Sequence, residues 1–276
     1  MTPLIINKNI LKIDKFIGGM VLKKILRLEN ISKIYQAKNG EVEALKNVSF
    51  DVKQGEIVSI IGPSGCGKST LLSIITGLEE KSAGKLYIDG EESIGRTDKI
   101  GYMLQKDSLL EWRTIYKNVI LGLEIKKIKT PENEEYAKEL LRKYHLYEFK
   151  DKYPSQLSGG MRQRVALIRT LAIKPKILLL DEAFSALDYQ TRISVTKDIY
   201  AILKNENVTV LMVTHDISES ISMSDRVIVL TGRPATVKKI YNIEFDIKDK
   251  DPLKVRESPK FSSYFDSIWK ELDVNA

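Results

Sequence analysis

The stretch that most constrains the fold is Gly-Pro-Ser-Gly-Cys-Gly-Lys-Ser-Thr, residues 62–70. It fits the pattern G-x-x-x-x-G-K-[ST], follows a short apolar run over 56–61 and precedes an apolar run that ends at Gly77. This order predicts a buried strand, a glycine-rich turn and a helix. The backbone N–H groups of such a turn and the positive end of the helix can surround a phosphate. The chain is therefore predicted to bind a nucleoside triphosphate.

Individual loop residues have separate expected roles. The Lys68 ammonium can reach the β- and γ-phosphates, and the Ser69 hydroxyl can ligate Mg²⁺. Cys66 is the single cysteine, and we interpret it as a small side chain that fits the turn rather than as a redox group. The candidate nucleotide-binding residues of this loop are Gly62, Pro63, Ser64, Gly65, Cys66, Gly67, Lys68, Ser69 and Thr70.

Composition and charge narrow the class of protein. Apolar residues make up 43% and charged residues 29%, as in ordinary globular proteins. The net charge of +7 comes from scattered basic residues, so no nucleic-acid partner is predicted. A single cysteine excludes an internal disulfide and suits a reducing compartment. No apolar run approaches the roughly 20 residues that span a bilayer, and charges interrupt the N-terminal apolar stretches, so no secretory signal is expected.

By pattern, the chain divides into an extension over 1–24, a domain over 25–245 and a charged tail over 246–276. The extension has no periodicity, and Met20 is a second candidate start of the protein. The tail carries one candidate amphipathic helix, marked by Phe265, Ile268, Trp269 and Leu272.

Within the domain, alternating runs predict antiparallel strands, whereas continuous apolar runs such as 177–180 predict parallel strands covered on both faces. Residues from about 106 to 170 become helical and charged, with a helix beginning at Thr130–Pro131. We interpret His145, beside the apolar face of that helix, as a packing residue rather than a ligand. The predicted fold class is α/β: a mixed sheet core with an antiparallel β edge and a helical subdomain.

Charged side chains follow two of the predicted core strands. Asp181 and Glu182 end one strand, and His215 follows the strand over 208–213. In open α/β sheets, ligands bind at the carboxyl ends of the strands. Asp181 is expected to hold Mg²⁺, and Glu182 to polarise an attacking water as general base. His215 is expected to contact the γ-phosphate. The alternative for Glu182 is a surface acid at a strand end, and the alternative for His215 is a packing or solvent-facing residue.

A second glycine pair opens another predicted helix, at Leu157-Ser158-Gly159-Gly160. Free N–H groups and the helix dipole at such a start can bind a second anion. One phosphate loop and one further phosphate-binding helix start suggest that each site is completed by another copy of the chain.

Taken together, these motifs resemble those of the nucleotide-binding subunits of ATP-binding cassette (ABC) transporters. The resemblance covers about residues 25–240 and rests on ordered motifs at 62–70, Gln105, 157–163, 177–182, 185–188 and His215. It implies the ABC cassette form of the P-loop NTPase fold, ATP hydrolysis, and ATP and Mg²⁺ as cofactors.

The resemblance also implies roles for further residues. Tyr35 would stack on adenine, and Gln105 would sense Mg²⁺ and the attacking water. Ser158 and Gly160 would grip the γ-phosphate bound to a second copy. Asp188 would couple the two sites across the dimer.

Residues 108–114 resemble the Leu-Leu-Pro-Trp-x-Thr segment of the nitrate/sulfonate/taurine importer branch, with Glu111 in place of the usual Pro. This resemblance implies a transmembrane permease subunit docked near Gln105 and an extracytoplasmic solute-binding protein. The chain would then lie at the cytoplasmic face of the cell membrane as a peripheral subunit, where ATP hydrolysis drives solute uptake.

Two other classes share part of the pattern. Chromosome-associated cassette ATPases insert a long coiled coil between the loop and the Ser-Gly-Gly motif, where only about 90 residues intervene here, and ribosome-associated ones carry two cassettes. A small-molecule kinase would share the loop but has no use for residues 157–160. A soluble cassette ATPase acting on nucleic acid or ribosomes therefore remains the alternative to the importer subunit.

Overall fold

The computed structural model describes residues 23–37, 40–185, 187–247 and 250–272. The alternative start at Met20, with nearly all of the predicted extension, lies outside these ranges. In chain order the elements are β1 (Lys24–Ala37), β2 (Gly40–Lys53), β3 (Ile57–Ile61), α1 (Lys68–Thr76), β4 (Ala83–Ile88), β5 (Glu91–Glu92), β6 (Ile100–Met103), α2 (Ile115–Val119), α3 (Leu121–Ile125), α4 (Pro131–Lys143), α5 (Gly159–Leu171), β7 (Ile177–Asp181), α6 (Tyr189–Asn205), β8 (Val210–Val213), α7 (Ile217–Met223), β9 (Arg226–Leu230), β10 (Val237–Asn242) and α8 (Pro259–Leu272).

One sheet is entirely antiparallel, with strand order β2-β1-β4-β5. Its pairing places Leu28 opposite Phe50 and Leu86, and all three side chains are buried. The alternation of apolar and polar side chains along these strands explains this arrangement, because an antiparallel sheet can pack one face on the core and expose the other to water. The predicted antiparallel edge is therefore confirmed, and it forms a sheet of its own.

The second sheet has the order β10-β9-β3-β8-β7-β6 and is parallel except where β10 meets β9. Every residue of β3 is buried, as are the first four residues of β7. Continuous apolar strands suit this position, because helices cover both faces of a parallel sheet. The carboxyl ends of β3, β7, β8 and β9 consequently share one edge.

The helical subdomain lies between β6 and β7 in the chain and consists of helices α2 to α5. Thr130 caps α4 by accepting the Asn133 N–H, and Pro131 occupies the first turn, as the sequence indicates. Ala137 and Leu141 on α4 are fully buried in a cluster that also contains side chains of α5. The interpretation of His145 as a packing residue is wrong. It is exposed, with φ 57° just past the end of α4, while Tyr144 takes the buried place.

The tail packs back on the domain. Helix α8 forms where the sequence predicts it, and Ile268 is fully buried in a cluster with side chains of α7 and β9. Trp269, predicted with Ile268 as part of the apolar set, is instead 57% exposed. A short 3₁₀ turn, Lys254–Glu257, precedes it and buries Val255. Among the described residues, no helix combines the length and apolar character that a membrane crossing requires.

Candidate functional site

The phosphate loop connects β3 to α1 in the predicted strand–turn–helix order. Gly65 and Gly67 adopt φ values of 71° and 124°, which only glycine adopts readily. A Cβ on Gly67 would lie 2.9 Å from Leu45 Cδ2 and 3.0 Å from the Ala44 carbonyl oxygen. Both the backbone conformation and the close approach of β2 therefore require glycine here.

Lys68 begins α1 and folds back over the loop. Its Nζ donates to the carbonyl oxygens of Gly62 at 2.8 Å and Pro63 at 3.0 Å, and the residue is 8% exposed. The Ser69 side chain is exposed toward the same space, whereas the Cys66 thiol is 1% exposed and packs in the core. This burial agrees with the packing role predicted for Cys66.

Asp181 is the last residue of β7. Burial raises the pKa of its carboxyl, while the hydrogen bond from the Tyr102 hydroxyl at 2.9 Å lowers it. The negative charge of Glu182 also raises this pKa, and the positive charge of Lys68 lowers it. A cation beside Asp181 would favour the ionised carboxylate against the cost of burial.

Glu182 and His215 come together from the ends of β7 and β8. His215 Nδ1 lies 3.4 Å from Glu182 Oε2. Glu182 has φ 46°, its N–H donates to the Val213 carbonyl, and its own carbonyl accepts from the Ser185 hydroxyl. A non-glycine residue held at positive φ costs about 1–3 kcal/mol and is typical of functional sites.

These side chains line one cleft of about 610 Å³. Its lining residues are Ser64, Gly65, Gly67, Lys68, Ser69, Thr70, Glu182, His215 and Arg233. The cleft therefore joins a phosphate-binding loop to a carboxylate and an imidazole, a set able to bind a polyphosphate and to direct water at it.

Gln105 lies one step away from this cleft. Its Nε2 donates to Ser185 Oγ at 3.0 Å, and the Ser185 hydroxyl donates to the Glu182 carbonyl oxygen at 2.9 Å. The amide is thus joined to the backbone of Glu182 through one hydroxyl. Its role toward Mg²⁺ and the attacking water stays a prediction.

Ser158, Gly159 and Gly160 do not line the cleft. Ser158 caps α5 by accepting the Met161 N–H at 3.3 Å. A Cβ on Gly160 would lie 2.7 Å from Val195 Cγ2 on α6, so glycine permits close packing of α5 on α6. The helix start that carries these residues is a second surface, separate from the phosphate loop.

Asp188 and Tyr35 also lie outside the lining. Asp188 caps α6 by accepting the Thr191 N–H at 3.0 Å, and hydrogen bonds with Thr191 lower the pKa of its carboxyl. Tyr35 is half-buried on β1, with Lys33 Nζ 4.7 Å from its ring centroid. Adenine stacking on Tyr35 and coupling through Asp188 stay predictions.

Arg233, in the segment after β9, belongs to none of the motifs that predict site residues. Its Nη2 donates to the Gly65 carbonyl oxygen at 2.8 Å, so a second cation joins Lys68 in the cleft. The available signal was its position just beyond the carboxyl end of a core strand, where ligand-binding residues collect.

Glu111, which departs from the importer pattern, has a defined partner. Arg162 on α5 donates through Nε and Nη2 to both carboxylate oxygens of Asp107, at 2.8 and 3.1 Å, and through Nη2 to Glu111 Oε1 at 2.6 Å. These hydrogen bonds join the segment after Gln105 to α5, the helix that Ser158 caps.

A family model described as ABC transporter matches residues 45–185. The uncharacterized ABC transporter ATP-binding protein YtlC of Bacillus subtilis is 44% identical over 248 residues, which span 90% of this chain and 95% of that protein. This chain belongs to the ABC transporter ATP-binding family. It is an ATPase of that family and binds adenine nucleotide, as the sequence predicts.

Other relatives carry importer names. The nitrate import ATP-binding protein NrtD of Synechocystis is 36% identical, over 88% of this chain and 93% of that protein. The taurine import ATP-binding protein TauB of Jannaschia is 37% identical, over 88% and 92%. Among solved structures, the dimeric structure of MJ0796, a bacterial ABC transporter cassette, has a TM-score of 0.67 at 35% identity and covers 80% of this chain and 99% of that chain. The ABC cassette fold is thereby confirmed.

The residues present suit Mg²⁺. The Ser69 hydroxyl and the Asp181 carboxylate are hard oxygen donors, and a cation beside Asp181 would offset the effect of burial, which raises the pKa of this carboxyl. Within the described residues, no group of three or more His, Cys, Asp or Glu side chains could hold a metal ion. Mg²⁺ needs no such cage, because it usually combines one or two protein oxygens with phosphate and water.

Proposed function

We propose that this chain is the ATP-hydrolysing subunit of an importer. Two copies would couple ATP binding and hydrolysis to uptake of a small oxyanion-bearing solute, such as nitrate, taurine or an alkanesulfonate, through a separate membrane subunit. The observation that carries the hydrolytic part of the proposal is the pairing of Glu182 Oε2 with His215 Nδ1, 3.4 Å apart, in the cleft that holds Lys68. The importer part is supported by the nitrate, taurine and sulfonate import names of the relatives.

Hydrolysis would proceed as an in-line attack of water on the γ-phosphate. The loop amides bind the phosphates, and Lys68 stabilises the charge on the transferred group. Glu182 orients the attacking water and takes up its proton, and His215, 3.4 Å from the Glu182 carboxylate, contacts the γ-phosphate. Ser69 and Asp181 would hold Mg²⁺, which supplies further stabilisation of the phosphate charge.

Dimerisation is supported by the position of Ser158, Gly159 and Gly160. These residues begin a helix outside the cleft of their own chain, and a helix start attracts phosphate. A head-to-tail partner would bring this surface to the γ-phosphate. The dimeric structure of the relative with 35% identity supports the formation of a dimer.

Membrane attachment would use the segment around Gln105. Leu104, just before Gln105, is 46% exposed, and Trp112, after it, is 76% exposed. Both flank Asp107 and Glu111, which pair with Arg162 on α5. The importer names of the relatives support a transmembrane permease as the partner, and with it a peripheral place at the cytoplasmic face and an extracytoplasmic solute-binding protein.

The test of catalysis is Glu182→Gln. Since removal of a positioned base costs roughly 10²–10⁴-fold, kcat should fall by that factor while ATP affinity stays within about threefold. The control is Glu206→Gln, because Glu206 is a hydrogen-bonded carboxylate that does not line the cleft and whose donors at Oε1, Lys143 and Tyr144, glutamine can still satisfy through its amide oxygen. Near-normal hydrolysis by Glu182→Gln would show that another group acts as base.

The test of transport uses the chain assembled with its membrane subunit in vesicles. ATP-dependent uptake of nitrate, taurine or an alkanesulfonate, measured in the presence of the corresponding solute-binding protein, would support the importer. Failure to assemble with any membrane subunit, together with ATPase stimulation by DNA or ribosomes, would favour the soluble ATPase instead.

A further inference from the structure

A group of charged side chains lies behind the cleft, between α6 and α7. Arg192 on α6 donates through Nη2 to the carbonyl oxygens of Ser185 at 3.3 Å and Leu187 at 2.8 Å. Its Nη1 lies 4.0 Å from Asp216 Oδ2. One guanidinium thus contacts both the turn after β7 and the turn after β8.

The second half of this group surrounds His215. The Thr214 hydroxyl donates to Glu219 Oε2, the Asp216 N–H donates to Thr214 Oγ1 at 3.1 Å, and the Glu219 N–H donates to Asp216 Oδ1 at 3.0 Å. Glu219 is 6% exposed. Because Thr214 and Asp216 flank His215, this ring of hydrogen bonds fixes the backbone on both sides of the imidazole.

Two polar atoms of this group lack a partner. Within the described residues, Arg192 Nε and Glu219 Oε1 are buried and form no hydrogen bond. Arg192 is also near enough that its charge lowers the pKa of Glu219, against the larger effect of burial. Unpaired buried polar groups are uncommon in native proteins, and each calls for an explanation such as an ordered water or a functional role.

We propose that Arg192 is a positioning residue that holds the turn carrying Glu182 and Ser185 in register with the turn carrying His215, with Asp216 as its counterpart on the His215 side. The inference rests on the proposed hydrolysis at Glu182 and His215, and it adds the element that keeps the two side chains together. Neither Arg192 nor Asp216 lines the cleft.

The path from Arg192 to the reacting groups is short. Arg192 holds the Ser185 carbonyl, the Ser185 hydroxyl donates to the Glu182 carbonyl, and Gln105 donates to that hydroxyl. A shift of the Ser185 turn would therefore change the 3.4 Å separation of Glu182 and His215. A misplacement of about 1 Å at a catalytic group can cost on the order of 10²-fold in rate.

Arg192→Lys is the informative variant. Lysine keeps the charge but presents a single ammonium, so it cannot contact two carbonyls and Asp216 with a planar fork. In the full chain, steady-state ATPase assays should show kcat lowered roughly 10–100-fold. The KM for ATP should stay within about twofold and the thermal midpoint within about 3 °C of wild type, because the phosphate loop is untouched. The control is Arg142→Lys. Arg142 is an exposed arginine of α4 that pairs with Glu135, so this substitution should leave kcat, KM and the thermal midpoint unchanged.

A double-mutant cycle with Asp216→Asn provides the second measurement, because asparagine removes the charge 4.0 Å from Arg192 Nη1 and can still accept the Glu219 N–H. If Arg192 and Asp216 act as one unit, the loss in kcat of the double variant should be much smaller than the product of the two single losses. Independent, multiplicative losses would overturn the inference. An Arg192→Lys enzyme with the same kcat and KM as Arg142→Lys would also overturn the inference. A fall in kcat that is accompanied by an equally marked fall in the thermal midpoint would do so too, because it would indicate a loss of folded protein.

The proposed function and this inference fail in different ways. An inactive Glu182→Gln with a fully active Arg192→Lys refutes only the positioning role. A fully active Glu182→Gln refutes the hydrolytic role of Glu182, and the positioning inference falls with it.

Discussion

Replacing Glu219 by Gln should change how folding stability depends on pH. Burial raises the pKa of Glu219 to about 7 from 4.5, with a smaller contribution from the charge of Asp216. The hydrogen bond from Thr214 and the charges of Arg192 and Arg256 act in the opposite direction without cancelling the effect of burial. The folded chain therefore keeps a proton on Glu219 that the unfolded chain releases near pH 4.5.

The sign follows from this difference in bound protons. Between pH 4.5 and 7 the unfolded state binds fewer protons at Glu219, so the free energy of unfolding falls as pH rises. Below that window the residue contributes no pH dependence, and above it the loss is complete. A pKa difference of about 2.5, at 1.36 kcal/mol for each pKa unit, gives a loss of roughly 3 kcal/mol.

Urea unfolding of wild type and Glu219→Gln at several pH values between 4.5 and 8 measures this loss. Glutamine has nearly the same shape and cannot ionise, while every other titrating group is common to both proteins. The free energy of unfolding of the variant, minus that of wild type, should therefore rise by roughly 3 kcal/mol across the range. A difference that stays constant with pH would refute the assignment of a protonated Glu219 to the folded state.

Two further outcomes are expected from the packing of α5 and from the exposed Trp112. Gly160→Ala should lower the free energy of unfolding by about 1–3 kcal/mol, because the new methyl lies 2.7 Å from Val195 Cγ2. The same change made in a Val195→Ala background should cost less than about 1 kcal/mol, and an equal cost in both backgrounds would contradict the contact. Trp112→Ala should reduce co-purification with the membrane subunit at least tenfold without changing the thermal midpoint, as the side chain is 76% exposed. Undiminished co-purification would place the permease contact elsewhere.

Much of the fold was predictable because it depends on local pattern. Residues 56–77 contain a strand, a glycine turn and a helix stop in a fixed order, and the structure has β3, the loop and α1 in that order. Glu182 and His215 could be placed together because both follow apolar strands, and parallel strands end at one edge of a sheet. These predictions needed no knowledge of long-range packing.

The remaining features depend on which elements become neighbours. The contact of Arg233 with Gly65 requires β9 to lie beside β3, and strand order is not written in either segment. The hydrogen bonds from Arg192 to Ser185 and Leu187 require the first turns of α6 to fold back on the preceding turn. His145 was misinterpreted because helical periodicity continues past the residue at which α4 ends. In each case the outcome depends on which elements become neighbours in the folded chain and on where a helix ends, and the local sequence pattern specifies neither.

The buried thiol in the phosphate loop has a practical consequence for spectroscopy. Cys66 is the one cysteine in the sequence and is 1% exposed, so maleimide reagents should react with it slowly in the native protein. A cysteine introduced at an exposed position such as Ile94, which is 88% exposed, could then carry a fluorophore or spin label while Cys66 is left in place. Distances between two such labels, one on each copy of the proposed dimer, would report changes in the separation of the two copies.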